Sequence, residues 1–214
     1  MKLLRFTSLA SAILVAAFVF TGCTRRDDYY DPPPPTGYQY EFTEEFDNDT
    51  RGWAFTTDSS YALVQSGEYV FVDNSVNGEL NTAVIPTGCD VDRDFLIQTR
   101  LESDNSIALI FGAYKQQHYG YSFFIDNSYQ SFAIYNEGSS SQPLQTIKDF
   151  TVNGAINKTG YNNVEIEQRN GRWYFYINNT EVHSMQAEYL SGDEMGFMVL
   201  GQTKGYADYL RVKW

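Results

Sequence analysis

Asn162-Asn163-Val164-Glu165-Ile166-Glu167-Gln168-Arg169-Asn170-Gly171-Arg172-Trp173-Tyr174-Phe175-Tyr176-Ile177-Asn178-Asn179-Thr180-Glu181-Val182-His183 is the stretch on which the fold turns. Apolar and polar side chains alternate along it, which is the period of a half-buried strand. Asn170-Gly171 is a favoured type I′ pair, and Asn178-Asn179 can also take φ > 0. Two such turns make the stretch an antiparallel meander. Val164 then faces Ile177 and Ile166 faces Phe175, and a one-residue slip would expose all four. On the opposite face Glu165 pairs with Tyr176, Glu167 with Tyr174 and Arg169 with Arg172. Beyond the second turn, Tyr176 would pair with Glu181 and Tyr174 with His183.

The same grammar extends in both directions. Short runs rich in Val, Ile, Tyr, Phe and Thr are separated by Gly, Asn, Asp and Ser. No window of ten or more residues carries the 3.6 period and caps of a helix. Strands are expected near 39–46, 60–64, 68–73, 80–85, 94–102, 106–113, 119–126, 129–136, 144–148, 161–169, 172–177, 180–186, 194–200 and 206–213. Many short antiparallel strands in one domain mean a sandwich or a barrel. Alternation puts Phe95, Ile97, Thr99 and Leu101 on one face, as it does Ile107, Leu109, Phe111 and Ala113. Such sets suit two packed sheets.

Beyond these runs lie Glu45-Phe46-Asp47, Gly52-Trp53, Gly67-Glu68-Tyr69, Arg93-Asp94-Phe95-Leu96-Ile97, Tyr119-Gly120-Tyr121-Ser122-Phe123, Gly196-Phe197 and Asp208-Tyr209-Leu210-Arg211-Val212. With the meander, this series resembles the concanavalin A-like jelly rolls: laminin-G-like modules, family-16 glycosidases and the 3-keto-disaccharide hydrolase-like domain. The resemblance covers about residues 41–214. It implies an all-β, two-sheet antiparallel jelly-roll sandwich, and it leaves the function to the site.

The face opposite the core set carries the rows Glu165–Tyr176–Glu181 and Glu167–Tyr174–His183. Flat aromatics flanked by carboxylates suit a sugar, because rings stack on CH groups while acids accept hydroxyl hydrogen bonds. Tyr174 and Tyr176 would stack, and Glu165, Glu167, Glu181 and His183 would contact hydroxyls. A glycan or polysaccharide is therefore the expected partner, bound without catalysis. A glycoside hydrolase is the alternative, with Glu165, Glu167 and Glu181 as its acids. Glu165 and Glu181 would lie ~9–10 Å apart at ~4.8 Å per strand, at the edge of the inverting range. The family-16 acid pattern is Glu-x-Asp-x-x-Glu. Here Glu165-Ile166-Glu167-Gln168-Arg169-Asn170 places an asparagine at its third acid. A structural or adhesive module that recognises protein is a further alternative.

A second aromatic group comprises Tyr114, His118, Tyr119, Tyr121, Phe124, Tyr129 and Tyr135. Tyr121 and Phe123 are assigned to the core, and Tyr114, Phe124 or Tyr129 would form an exposed stacking platform. His118 and His183 are the only histidines and lack a Cys partner, which argues against zinc. Structural calcium would draw on Asp47, Asn48 and Asp49 together with Asp208. Asp90, Asp92 and Asp94 lack the Gly and terminal Glu of a calcium loop and read as a lead into a strand. Cys89 has no base near it in sequence and reads as inert.

The chain has 214 residues, a net charge of −12 and 16% aromatic residues. That balance excludes a disordered acidic chain and offers no basic cluster for nucleic acid. Residues 1–22 read as a signal peptide: Lys2 and Arg5, then an apolar run from Phe6 to Phe20 too short to span a bilayer. Phe20-Thr21-Gly22-Cys23 resembles the lipobox of bacterial lipoproteins, although Phe20 stands where that family usually has Leu. The resemblance implies a lipidated Cys23 at the mature N-terminus and a stable membrane anchor of several acyl chains. Asp27 and Asp28 resemble the export signal that sends some lipoproteins to the exterior of the outer membrane. Residues 23–38, with four consecutive prolines at 32–35, form a stiff tether, and 39–214 form the sandwich.

Overall fold

The structure is a computed structural model that describes residues 37–76, 81–115 and 119–214. The signal peptide, Cys23, the export signal, His118 and nearly all of the tether lie outside the described residues. Among the described residues no helix is long and apolar enough to cross a membrane.

The described strands are β1 (Glu41–Glu44), β2 (Phe55–Thr56), β3 (Ser60–Gln65), β4 (Glu68–Asp73), β5 (Asn81–Pro86), β6 (Phe95–Ser103), β7 (Ser106–Ala113) and β8 (Tyr121–Asp126). They continue as β9 (Ser131–Asn136), β10 (Gln145–Val152), β11 (Asn162–Arg169), β12 (Arg172–Ile177), β13 (Thr180–Gln186), β14 (Glu194–Val199) and β15 (Thr203–Lys213). The larger sheet runs β13-β12-β11-β6-β15-β4-β3-β2, with β1 beside the end of β15. The smaller runs β10-β9-β8-β7-β14-β5. The fold is the all-β, two-sheet antiparallel jelly-roll sandwich that the strand pattern predicts.

Local chemistry accounts for the meander. Asn170, Gly171, Asn178 and Asn179 all have positive φ, at 50°, 69°, 49° and 64°, the backbone of type I′ turns. The turn residues therefore hold the register of β11 on β12, with Val164 opposite Ile177 and Ile166 opposite Phe175. The inward rows interlock between the sheets: Phe95, Ile97 and Leu101 of β6, Ile107, Leu109 and Phe111 of β7, and Trp173, Phe175 and Ile177 of β12 are all fully buried. Phe46, Trp53, Tyr69 and Phe197 form a second knot of rings, with centroids 5.4–6.1 Å apart.

One inward assignment is corrected. Ala113 leaves the Phe111 row and joins the apolar cluster on the outer face of the smaller sheet. The cause is a bulge in β7: Glu194 of β14 pairs with Ala113, while Gly196 pairs with Ile110. Gly112 takes φ 73° inside that bulge, and the extra residue reverses the alternation beyond it.

Candidate functional site

The structure brings together the first of the two expected rows. Glu165 pairs with Tyr176, and Tyr176 with Glu181, across β11, β12 and β13. Glu167 pairs with Tyr174 as expected. His183 does not join them. The β12–β13 ladder slips between Phe175 and Tyr176, so His183 lies opposite Phe175, and Ser184 takes the place beside Tyr174. One unpaired residue, Val182, reverses the faces, and the imidazole sits 5.9 Å from the Phe175 ring. Burial lowers the His183 pKa first, and Lys148 adds to the effect.

The acids on this face are already engaged. Gln98 Nε2 donates to Glu165 at 2.8 Å. Glu167 is buried and receives Arg169 at 3.3 Å and the Tyr176 hydroxyl at 3.3 Å. The Tyr176 phenol is pushed up to about 12, by burial first and by Glu167 next. The Arg169 guanidinium lies 4.4 Å over the Tyr174 ring. It occupies a ring face to which the sequence assigned a sugar, so Tyr174 is a cation–π partner here.

Beside this network opens a cleft of about 440 Å³. Its lining residues include Tyr38, Trp214, Asp94, Glu167, Arg93 and Arg169. The start of the sandwich and Trp214 build one wall. Gln39 N and Tyr40 N donate to Trp214 O at 2.9 and 3.0 Å, and Trp214 N donates back to Tyr40 O at 3.1 Å. Tyr40 and Trp214 stack at 5.8 Å. That clasp sets Tyr38 against the acids. Its phenol pKa is raised by burial first, then by Glu167, Asp94 and Glu165. The opposite wall is tied to the sheet by Gln168 Nε2, which donates to Arg93 O at 2.7 Å. Of the predicted ligand residues only Glu167 lines the cleft. Tyr38, assigned to the tether, and Asp94, read as a loop, carry no sequence signal for it, because they reach Glu167 only through β1–β15 and β6–β11 pairing.

Of the residues expected in an exposed aromatic platform, Phe124 is corrected. Phe124 is buried on the outer face of the smaller sheet among Ala108, Ile110 and Met198. Tyr129 is exposed, and Tyr114 lies under the Lys115 ammonium at 5.2 Å. Tyr121 and Phe123 are in the core as expected. Asp208, Asp49 and Asn48, expected to hold calcium, have partners within the protein. Asp208 pairs with Arg100 at 2.8 Å. Asp49 Oδ1 accepts Trp53 N at 2.6 Å, and Asn48 Oδ1 accepts Thr50 N at 3.1 Å. These are turn-capping bonds, and calcium needs six to eight oxygens. Among the described residues no group of three or more His, Cys, Asp or Glu is placed to hold a metal ion. Cys89 is buried, and its thiol is pushed up to about 12 by burial first, then by Asp193 and Asp90.

One acid missed in the sequence stands on the outer face of the smaller sheet. Glu137 is buried, accepts a hydrogen bond from the Ser122 hydroxyl, and has its pKa raised by burial. A carboxyl that holds its proton more tightly in the folded chain stabilises the fold fully below the unfolded value of 4.5. That contribution fades as pH rises through the raised folded value. Glu137→Gln is therefore expected to match the parent in acid, exceed its stability at neutral pH, and flatten the pH dependence just above 4.5. Urea midpoints across that window check this. An equal pH slope in both proteins would refute it.

No family model matches the chain, and no curated protein matches it. Solved structures do. A native glycosidic hydrolase aligns at 10% identity over 84% of this chain and 98% of its own, with a TM-score of 0.51. The Bacillus licheniformis β-glucanase aligns at 11% identity over 84% of this chain and 100% of its own, also at 0.51. A GlcNAcα1-4Gal-releasing endo-β-galactosidase of Clostridium perfringens aligns at 12% identity, over 84% and 63%, at 0.50. At such identities the likeness is one of fold.

Proposed function

We propose that this chain is a membrane-anchored glycan-binding protein whose sandwich holds a saccharide without cleaving it. One observation carries the reading: the cleft of about 440 Å³ is lined by two aromatic, two acidic and two arginine residues. Rings cover the apolar faces of a sugar, while carboxylates accept from hydroxyls and guanidiniums donate to ring and hydroxyl oxygens. The volume falls within the usual ~300–1,000 Å³ of small-molecule sites. The names of the neighbouring folds, a β-glucanase and an endo-β-galactosidase, support a glycan as the ligand class. Glu167 lines the cleft, and the row Glu165–Tyr176–Glu181 lies on the same sheet face. In this reading Cys23 carries the lipid, residues 24–38 form the tether, and the sandwich faces outward from the outer membrane.

The test is affinity electrophoresis of the full chain in detergent against laminarin, barley β-glucan, galactan, xylan and mannan. Reducing sugar is measured in the same mixtures. Retardation by one polysaccharide is expected without sugar release. Arg169→Ala is expected to weaken it about tenfold, the equivalent of ~1.4 kcal/mol. An unretarded wild-type chain would overturn the reading.

A further inference from the structure

A second cavity, of about 330 Å³, opens between the ends of β7, β8 and β9 and the segment that joins β13 to β14. Tyr121, Asn136, Gln142, Glu188, Tyr189 and Ser191 line it. The Tyr121 hydroxyl donates to Glu188 Oε2 at 2.7 Å and accepts from Asn136 Nδ2 at 3.3 Å. Tyr189, one of the lining residues, is 80% exposed. Part of the floor is bare backbone. Gly138 has φ 70°, and a Cβ there would meet the Gln142 carbonyl oxygen at 2.3 Å, so no side chain intrudes.

This notch and the cleft share one end of the sandwich. Asp94 of the cleft immediately precedes β6, and Gly112 of the notch lies near the end of β7, the strand that follows β6 through a short turn. Between them stands Trp173. Its ring meets Tyr121 at 4.8 Å on the notch side, and its Nε1 donates to Gln168 at 2.6 Å on the cleft side. Gln168 in turn holds Arg93 O.

We propose that the notch is a second saccharide subsite, taking another ring of the glycan held in the cleft. The proposal rests on the glycan-binding reading. An open aromatic ring gives a stacking surface, Glu188 a carboxylate acceptor for neighbouring hydroxyls, and Asn136, Gln142 and Ser191 groups that both donate and accept. Among the described residues the notch is lined by a carboxylate residue and hydroxyl- and amide-bearing residues, which suit a hydroxyl-rich ring.

The experiment uses the full chain in detergent and the polysaccharide of the same panel that retards it. Tyr189→Ala and Glu188→Gln are each expected to weaken retardation about tenfold, while Tyr189→Phe, which keeps the ring, retains most of it. Tyr189 is too exposed for its removal to unfold the chain. If Arg169→Ala weakens retardation and neither notch variant does, the notch proposal falls and the glycan reading stands. Loss through the notch variants alone overturns the cleft as the binding site and, with it, the notch as a second subsite of a cleft-bound glycan. A wild-type chain retarded by nothing overturns both.

Discussion

Trp173→Ala is expected to lower the unfolding free energy by about 3–5 kcal/mol, the range for emptying a buried Trp or Phe site. Against a typical ~5–15 kcal/mol for a whole domain, that is a large share from one side chain. The indole is fully buried and packs edge-on against Phe111 at 5.2 Å and Tyr121 at 4.8 Å. It thereby joins the larger sheet to the smaller. Alanine leaves a cavity lined by rigid rings on two sheets, which closes poorly, and strips Gln168 Oε1 of its donor. Urea denaturation of the two proteins measures the loss. Trp173→Phe is expected to recover much of it, since it restores ring packing without the hydrogen bond. A shift below ~1 kcal/mol for alanine would mean the sheets do not pack through this residue. Because Trp173 separates the cleft from the notch, any folded alanine variant should also bind polysaccharide less well.

Tyr38→Ala is expected to weaken polysaccharide retardation about 30-fold. Aromatic anchors in a desolvated site typically account for ~2 kcal/mol or more, and each ~1.4 kcal/mol is tenfold. Tyr38 immediately precedes Gln39 and Tyr40, which clasp Trp214, and lines the cleft with Arg93 and Asp94. It is half-buried and lies outside the main ring cluster, so its loss should leave the urea midpoint nearly unchanged. Tyr38→Phe tests the hydroxyl separately. Unchanged binding would remove Tyr38 from the site. Stronger binding would show that it covers the ligand's place.

The reach of the sequence varies by element. The β11–β12 and β12–β13 hairpins were legible because Asn-Gly and Asn-Asn demand φ > 0, and alternation then specifies the face of every residue. The rows Glu165–Tyr176–Glu181 and Glu167–Tyr174 follow from that alone. His183 and Ala113 did not, since each lies beyond a bulge. A bulge answers to packing against the opposite sheet, and alternation carries no trace of it. The two-residue β2 has too few residues to show a period.

The candidate site divides in the same way. Composition and pattern determined the all-β class, two sheets and an aromatic, acidic surface, because these depend on side-chain type and on neighbours in sequence. Only the tertiary structure placed Tyr38, Asp94, Glu167 and Trp214 around one cleft, and Tyr121, Glu188 and Tyr189 around another. It also showed that Glu165 and Glu167 already hold partners on their own sheet. The physical reason is separation along the chain. A two-residue turn is a local choice of backbone dihedrals. A cleft joining residues 38 and 214 exists only after distant strands have paired and the two sheets have closed on a common core.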